Sequence, residues 1–203
     1  MDKVLEFRNS KPVEYRADKR QLVGYAAVFY QDGDQGTEFS PFEGHREVIS
    51  PKAFDAAFER GDDVYATFNH DDDNLLARLS AGTLRLNVDK IGLKYEIDLA
   101  DTTIARDVAE SAKRGDIPGS SFQFVVDDQR ISRDEDGRTT REILSVNPLI
   151  EVGPVTNPAF EGTSVSTRSK DAIQAEIDEY AQAERRLQRA KRMDELTAKL
   201  EKG

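Results

Sequence analysis

Apolar residues along this chain alternate over short runs more often than they recur at helical spacing, a pattern that predicts strands before helices. The stretch Leu22 to Tyr30, Leu-Val-Gly-Tyr-Ala-Ala-Val-Phe-Tyr, is almost wholly apolar and predicts a core strand buried on both faces. Val64 to Phe68 predicts another, running into Asn69-His70-Asp71-Asp72-Asp73. Thr83 to Val88 and Leu93 to Leu99 alternate around Asp89-Lys90-Ile91-Gly92, which is hairpin chemistry. Phe122 to Ile131 and Thr139 to Val146 alternate around Asp134-Glu135-Asp136-Gly137, a second hairpin, and Ile150 to Val155 supplies a last strand.

Helical signals are fewer. Ser50 and Pro51 can open a short helix that carries Phe54 and Phe58 on one face and closes at Gly61. Asp101 or Thr102 can cap a second, with Ile104, Val108 and Ala112 inward and Gly115 at its end. Met1 to Arg20 are polar with scattered apolar residues, suiting an edge strand or a loose arm. From about Ser169 no glycine or proline occurs until Gly203, and a long helix is expected, with Ile173, Ile177, Tyr180, Leu187, Met193, Leu196 and Leu200 on an irregular stripe. About seven strands and two short helices point to a mainly β domain with flanking helices, a closed or nearly closed β structure over residues 1–166, followed by a helical tail over 167–203. That tail reads as a marginal coiled coil suited to self-association, as a helix that docks on a partner, or as a segment that is removed.

The net charge of -10 disfavours a nucleic-acid binder, because neutralising phosphates needs a surplus of Lys and Arg. The absence of cysteine excludes disulfides, thiolate nucleophiles and Cys-containing zinc sites. No run approaches the roughly 20 apolar residues of a membrane helix, so a soluble protein with no membrane partner is expected. Asp32, Asp34 and Glu43 fall at offsets resembling a calcium loop, but Thr37 replaces the required glycine and the flank is a strand. A mobile acidic loop is the better reading, and no metal or cofactor is expected.

Chemistry enters at Arg114-Gly115-Asp116-Ile117-Pro118-Gly119-Ser120-Ser121-Phe122-Gln123-Phe124, where a helix is expected to end and a strand to begin. Gly-Ser-Ser is ordinary turn composition, yet Ser121, with Ser120 beside it, sits where a backbone can present a nucleophile. A serine hydroxyl needs a base within hydrogen-bond reach, and histidine is the usual one. The chain has two. His70 lies at a strand end, whereas His45 lies in a polar loop. A histidine base needs a partner on its other nitrogen. Glu151, in the apolar run Leu149 to Val155, is the best-placed carboxylate, because a charge in such a run calls for a partner. Asp71 to Asp73 are weaker, since neighbours on an extended chain point to opposite sides.

Taken in order, Gly24-Tyr25-Ala26-Ala27-Val28-Phe29, Glu47 to Phe54, Asn69-His70-Asp71, Gly82-Thr83-Leu84, Arg114 to Ile117, Ser121-Phe122-Gln123-Phe124 and Glu151 to Phe160 resemble the HK97-type prohead maturation proteases of tailed bacteriophages. The resemblance spans roughly Leu22 to Val165. It implies a capsid-assembly serine endopeptidase similar to the herpesvirus assemblins, built on an antiparallel β-barrel flanked by helices. The family's nucleophile falls on Ser121, its histidine on His70 and its acidic third member on Glu151, with His45 a rival because the herpesvirus enzymes use histidine there. Gln123 stands where the family often has glycine, and Gly153 where it often has serine. If Phe122 and Phe124 point inward, Ser121 points out toward a surface cleft. Backbone amides or Arg114 are candidates to stabilise the oxyanion. The implied substrates are a scaffold or the scaffold-like extension of the major capsid protein, and the protease itself, cleaved inside the procapsid in the bacterial cytoplasm. A non-catalytic assembly module on the same fold is the alternative; a small-substrate esterase is weaker, because no Gly-x-Ser-x-Gly elbow is present.

Overall fold

Two long strands form the spine of the molecule: β9 (Gly119–Arg133) and β10 (Thr139–Val155), antiparallel, with the Gly137 N–H donating to the Asp134 carbonyl between them; Glu135 and Asp136 of the predicted turn lie outside the described residues. The computed structural model describes residues 5–10, 13–40, 43–134, 137–157 and 167–200. The strands predicted at 139–146 and 150–155 are one strand, with its register against β9 shifting between Ile143 and Glu151. Pro148 lies within that irregular stretch, and its missing N–H cannot serve a ladder.

The free edge of β9 takes β1 (Leu5–Ser10), with Asn9 opposite Ser121. The other edge of β10 takes two parallel strands in succession: β4 (His45–Ile49) against Thr139 to Ile143, and β5 (Tyr65–Phe68) against Glu151 and Val152. Beyond β5 lies β6 (Asp71–Arg78), its antiparallel hairpin partner. A second sheet runs β2 (Glu14–Arg16), β3 (Gln21–Val28), β8 (Gly92–Asp98) and β7 (Leu84–Val88). The first twenty residues therefore supply an edge strand to each sheet.

These pairings overturn the closed or nearly closed antiparallel barrel of about seven strands. Among the described residues there are ten strands in a six-stranded and a four-stranded sheet, no pairing joins one sheet to the other, and neither closes on itself. β4 and β5 share one edge of β10, so the larger sheet runs outward to β6 and ends there, remote in order from β1. Its parallel pairs also make it mixed. The sequence pattern missed β4 and β6 because their polar ends, His45-Arg46-Glu47 and Asp71 to Asp73, read as loops.

One apolar core serves both sheets. Leu22 and Ala26 of β3, Leu93, Tyr95 and Ile97 of β8, Phe122 and Phe124 of β9 and Val146 and Val152 of β10 all lie in it. Phe122 stacks on Phe124 with ring centroids 4.5 Å apart and meets Phe54 edge-on at 5.8 Å. Phe54 immediately precedes helix α1 (Asp55–Arg60), which Gly61 closes in the left-handed conformation. The helix starts later than the Ser50-Pro51 signal implies, and Phe58 is exposed rather than packed beside Phe54. Helix α2 (Thr103–Arg114) follows its signals: the Thr102 hydroxyl accepts from the Ala105 N–H, Gly115 ends it, and Ala105, Val108, Ala109 and Ala112 are buried. Helix α3 (Thr167–Leu200) belongs to a second unit, residues 167–203, separate from residues 1–166.

In the acidic loop, the Asp34 carboxylate accepts from the Gly36 N–H and Asp32 accepts from the Tyr30 hydroxyl, so the two serve local turns. The Thr37 hydroxyl, buried, donates to the Asp34 carbonyl at 2.7 Å. Among the described residues no three His, Asp or Glu side chains converge to hold a metal.

Candidate active site

Ser121 is the third residue of β9, on regular extended backbone rather than on a bend. Alternation sends Phe122 and Phe124 into the core and Ser121 to the other face, as the pattern predicted. That face is not an open cleft at this point, because Ser121 is fully buried. Gly153 of β10 lies directly opposite it, and Glu151, opposite Gln123, shares its face two residues along.

The histidine arrives from another direction. Phe68 of β5 pairs with Asp71 of β6, so Asn69 and His70 are the two central residues of a tight hairpin turn. Both have positive φ, 60° and 58°, as the type I′ turns that suit the twist of a hairpin require. Asn tolerates that conformation well; for His it is a local cost, on the order of 1–3 kcal/mol, of the kind found at functional sites. The turn throws the imidazole back across the sheet. Its Nε2 lies 2.8 Å from Ser121 Oγ and its Nδ1 2.5 Å from Glu151 Oε2. A carboxylate only accepts, so Nδ1 carries the proton and Nε2 is left to accept from the serine hydroxyl.

Glu151 is buried, with a side chain 1% exposed, and the His70 side chain is 21% exposed. The other carboxylate oxygen, Oε1, accepts from the Thr67 hydroxyl at 2.7 Å and from the Thr67 N–H at 3.3 Å. Thr67 is itself fully buried on β5. Three neighbouring strands and one turn thus converge on a single line of hydrogen bonds, and among the described residues no buried side-chain oxygen or nitrogen lacks a partner. Gly153 leaves the space for this. A Cβ there would sit 2.0 Å from the Thr67 carbonyl oxygen and 3.1 Å from Glu151 Oε1, so the serine common at this position in the resembling family does not fit this backbone.

Next to Ser121 on β9, Ser120 faces the core and its hydroxyl lies 2.8 Å from that of Tyr95, whose burial pushes its phenol far above the usual range. Ser120 is therefore on the opposite face from His70. His45 does not reach the site. It begins β4, which pairs with the far end of β10 from Glu151, and its Nδ1 lies 2.9 Å from the Glu43 carbonyl oxygen. Arg114 pairs with Asp116 at the surface, at 3.0 Å. Asp71 turns to its own strand, accepting from the Asp73 N–H and the Asn74 amide.

Two residues that sequence reasoning did not single out complete the geometry. Thr67 orients the carboxylate. Asn69 ties the histidine turn to the end of β10, donating its N–H to the Pro154 carbonyl and accepting at Oδ1 from the Thr156 N–H. A signal existed only for the second: Asn-His directly after the strand-like run Val64 to Phe68 is turn composition.

Comparison with curated proteins finds no match. Among solved structures, the capsid assembly protease of bacteriophage T4, gp21, is similar at a TM-score of 0.45 and 9% identity, over 76% of this chain and 99% of that one. A family model described as caudovirus prohead serine protease matches residues 6–179, which take in both sheets and both short helices. On that match the chain belongs to the caudovirus prohead serine proteases, hydrolases of phage capsid maturation.

Proposed function

We propose that Ser121 is the nucleophile, His70 the general base and Glu151 the residue that orients and charges-balances it. The observation that carries this reading is the continuous hydrogen-bonded line from Ser121 Oγ through His70 to Glu151, closed off at its far end by Thr67. In the forward step Ser121 Oγ bonds to the scissile carbonyl carbon while its proton passes to His70 Nε2. The imidazolium so formed is stabilised by Glu151 at Nδ1. His70 then returns the proton to the departing amine, the peptide C–N bond breaks, and water releases the acyl group from Ser121 by the same route.

The substrates we propose are a scaffold or the scaffold-like extension of the major capsid protein, and the protease's own chain, cut inside the procapsid in the bacterial host. Among the described residues no helix is long and apolar enough to cross a membrane. The tail beyond residue 166 is proposed as an assembly element that self-associates or docks on a partner and whose outer part is trimmed in the process. Co-expression with the capsid precursor, followed by mass measurement of the products, tests this: Ser121→Ala is expected to leave precursor and tail intact. Native cleavage by that variant would take the nucleophile's role away from Ser121, whereas a parent that cuts neither precursor nor tail would point to a non-catalytic assembly role.

A further inference from the structure

We propose that Asn69 is a positioning residue that sets the distance between the His70 imidazole and the Ser121 hydroxyl; the inference rests on the roles assigned above to those two groups. His70 sits in the turn between β5 and β6, whereas Ser121 belongs to β9, and β10 lies between β9 and β5 in the sheet. The hairpin turn that carries His70 is the free end of its two strands, so nothing in the β5–β6 ladder fixes how far the turn leans over β10. Asn69 supplies that constraint.

Its N–H donates to the Pro154 carbonyl at 3.1 Å. Its Oδ1 accepts from the Thr156 N–H at 2.8 Å and from the Thr156 hydroxyl at 3.2 Å. Pro154 is adjacent to Gly153, the residue opposite Ser121, and Pro154 itself is opposite Ser120. The backbone that holds Ser121 in register is therefore the same backbone that Asn69 grips. One end of this short circuit carries the base and the other the nucleophile. Asn69 also adopts φ near 60° without the penalty most residues pay there, so the turn and the clamp need the same side chain. Nothing in the arrangement places Asn69 in the line of proton transfer, so its contribution is to the geometry alone.

The 203-residue chain, a serine-reactive fluorophosphonate, three variants of the clamp and Ser121→Ala test this. Asn69→Gly keeps the left-handed backbone and deletes the acceptor. Its inactivation constant kinact is expected to fall by about 10²-fold, the cost typical of a misplacement near 1 Å, while KI for the probe stays put. Asn69→Asp restores an acceptor of the same shape and is expected to bring kinact back to within about threefold of the parent. Thr156→Val keeps the N–H and removes only the hydroxyl donor, and is expected to lose severalfold. A downfield proton resonance from the His70 Nδ1–H, present in the parent and in Asn69→Asp, should broaden or shift in Asn69→Gly. Parental kinact in Asn69→Gly overturns the proposal, as does a loss that Asn69→Asp fails to restore. Should the glycine variant not fold, parental kinact in Thr156→Val overturns it. Labelling that persists in Ser121→Ala sinks the roles assigned to Ser121 and His70, a different result from an active Asn69→Gly beside an inert Ser121→Ala.

Discussion

Glu151 has its two carboxylate oxygens spoken for separately, one by His70 and the other by Thr67, in a place closed to water. The division matters because a buried carboxylate with an oxygen left unmet loses the compensation for its desolvation. Thr67→Val, which keeps the shape and the backbone N–H, is expected to lower stability by about 1–3 kcal/mol and to slow fluorophosphonate labelling of Ser121. Urea midpoints with an unchanged slope, read beside labelling rates, check both; a variant equal to the parent in each would mean the Thr67 hydroxyl contributes nothing. The three side chains that hydrogen-bond in line, Ser121, His70 and Glu151, are ones the sequence singles out, the last because a charge amid Leu149 to Val155 needs a partner. Thr67 was not, because β5 and β10 pair in parallel and nothing local records which threonine a distant glutamate will face. Gly153 departs from the resembling family, and the reason, the approach of the Thr67 carbonyl, is visible only in three dimensions.

At the scale of elements, the sequence reads well where pairing is local and poorly where it is not. The hairpin over Asp89 to Gly92 formed as its composition predicts: the Asp89 carboxylate accepts from the N–H groups of Ile91 and Gly92, an Asx turn that ties the loop to itself. Its other oxygen accepts from the Tyr25 hydroxyl at 2.7 Å, which no hairpin rule anticipates. Burial first, and then this bond to Asp89, push the Tyr25 phenol up to about 12. An unfolded tyrosine titrates near 10, so the folded state holds the proton more tightly. The stabilisation is therefore fully present below about pH 10 and is lost as pH rises through about 12. Urea unfolding of the parent and of Tyr25→Phe at pH 9 and pH 11.5 isolates the contribution. The parent's advantage is expected to shrink by on the order of 1–2 kcal/mol across that window, and a constant difference would show that the hydroxyl is not held as described. The long β10 shows the converse case. Two pieces of it were predicted, but its outer edge is shared between β4 and β5, strands distant from it in the chain, and that sharing is what opens the sheet.

At the scale of the molecule, an enzyme proposed to trim its own tail must go on working once the tail is gone, and the boundary of what it can lose is marked on the chain. The family match ends at residue 179, inside α3 rather than at its start. The burial along that helix changes at about the same place: Ile173 and Ile177 are buried, whereas Leu187 is 58% exposed and Arg185, Arg186, Arg189 and Arg192 lie in solvent. This outer stretch is also basic, with Lys191 among those arginines, on a chain whose net charge is -10. Charge of that sign on an acidic protein suits contact with an acidic surface, including that of a second copy, and such a contact weakens with salt. Ending the chain after Ala181 is therefore expected to leave the thermal midpoint within about 2 °C of the parent, because the described side chains it removes lie in solvent and their loss costs little, and to leave Ser121 labelling unchanged. The same cut should abolish any salt-sensitive self-association seen by sedimentation of the full chain. A truncated protein that no longer labels at Ser121 would make the outer helix part of the working enzyme and rule out its removal during maturation.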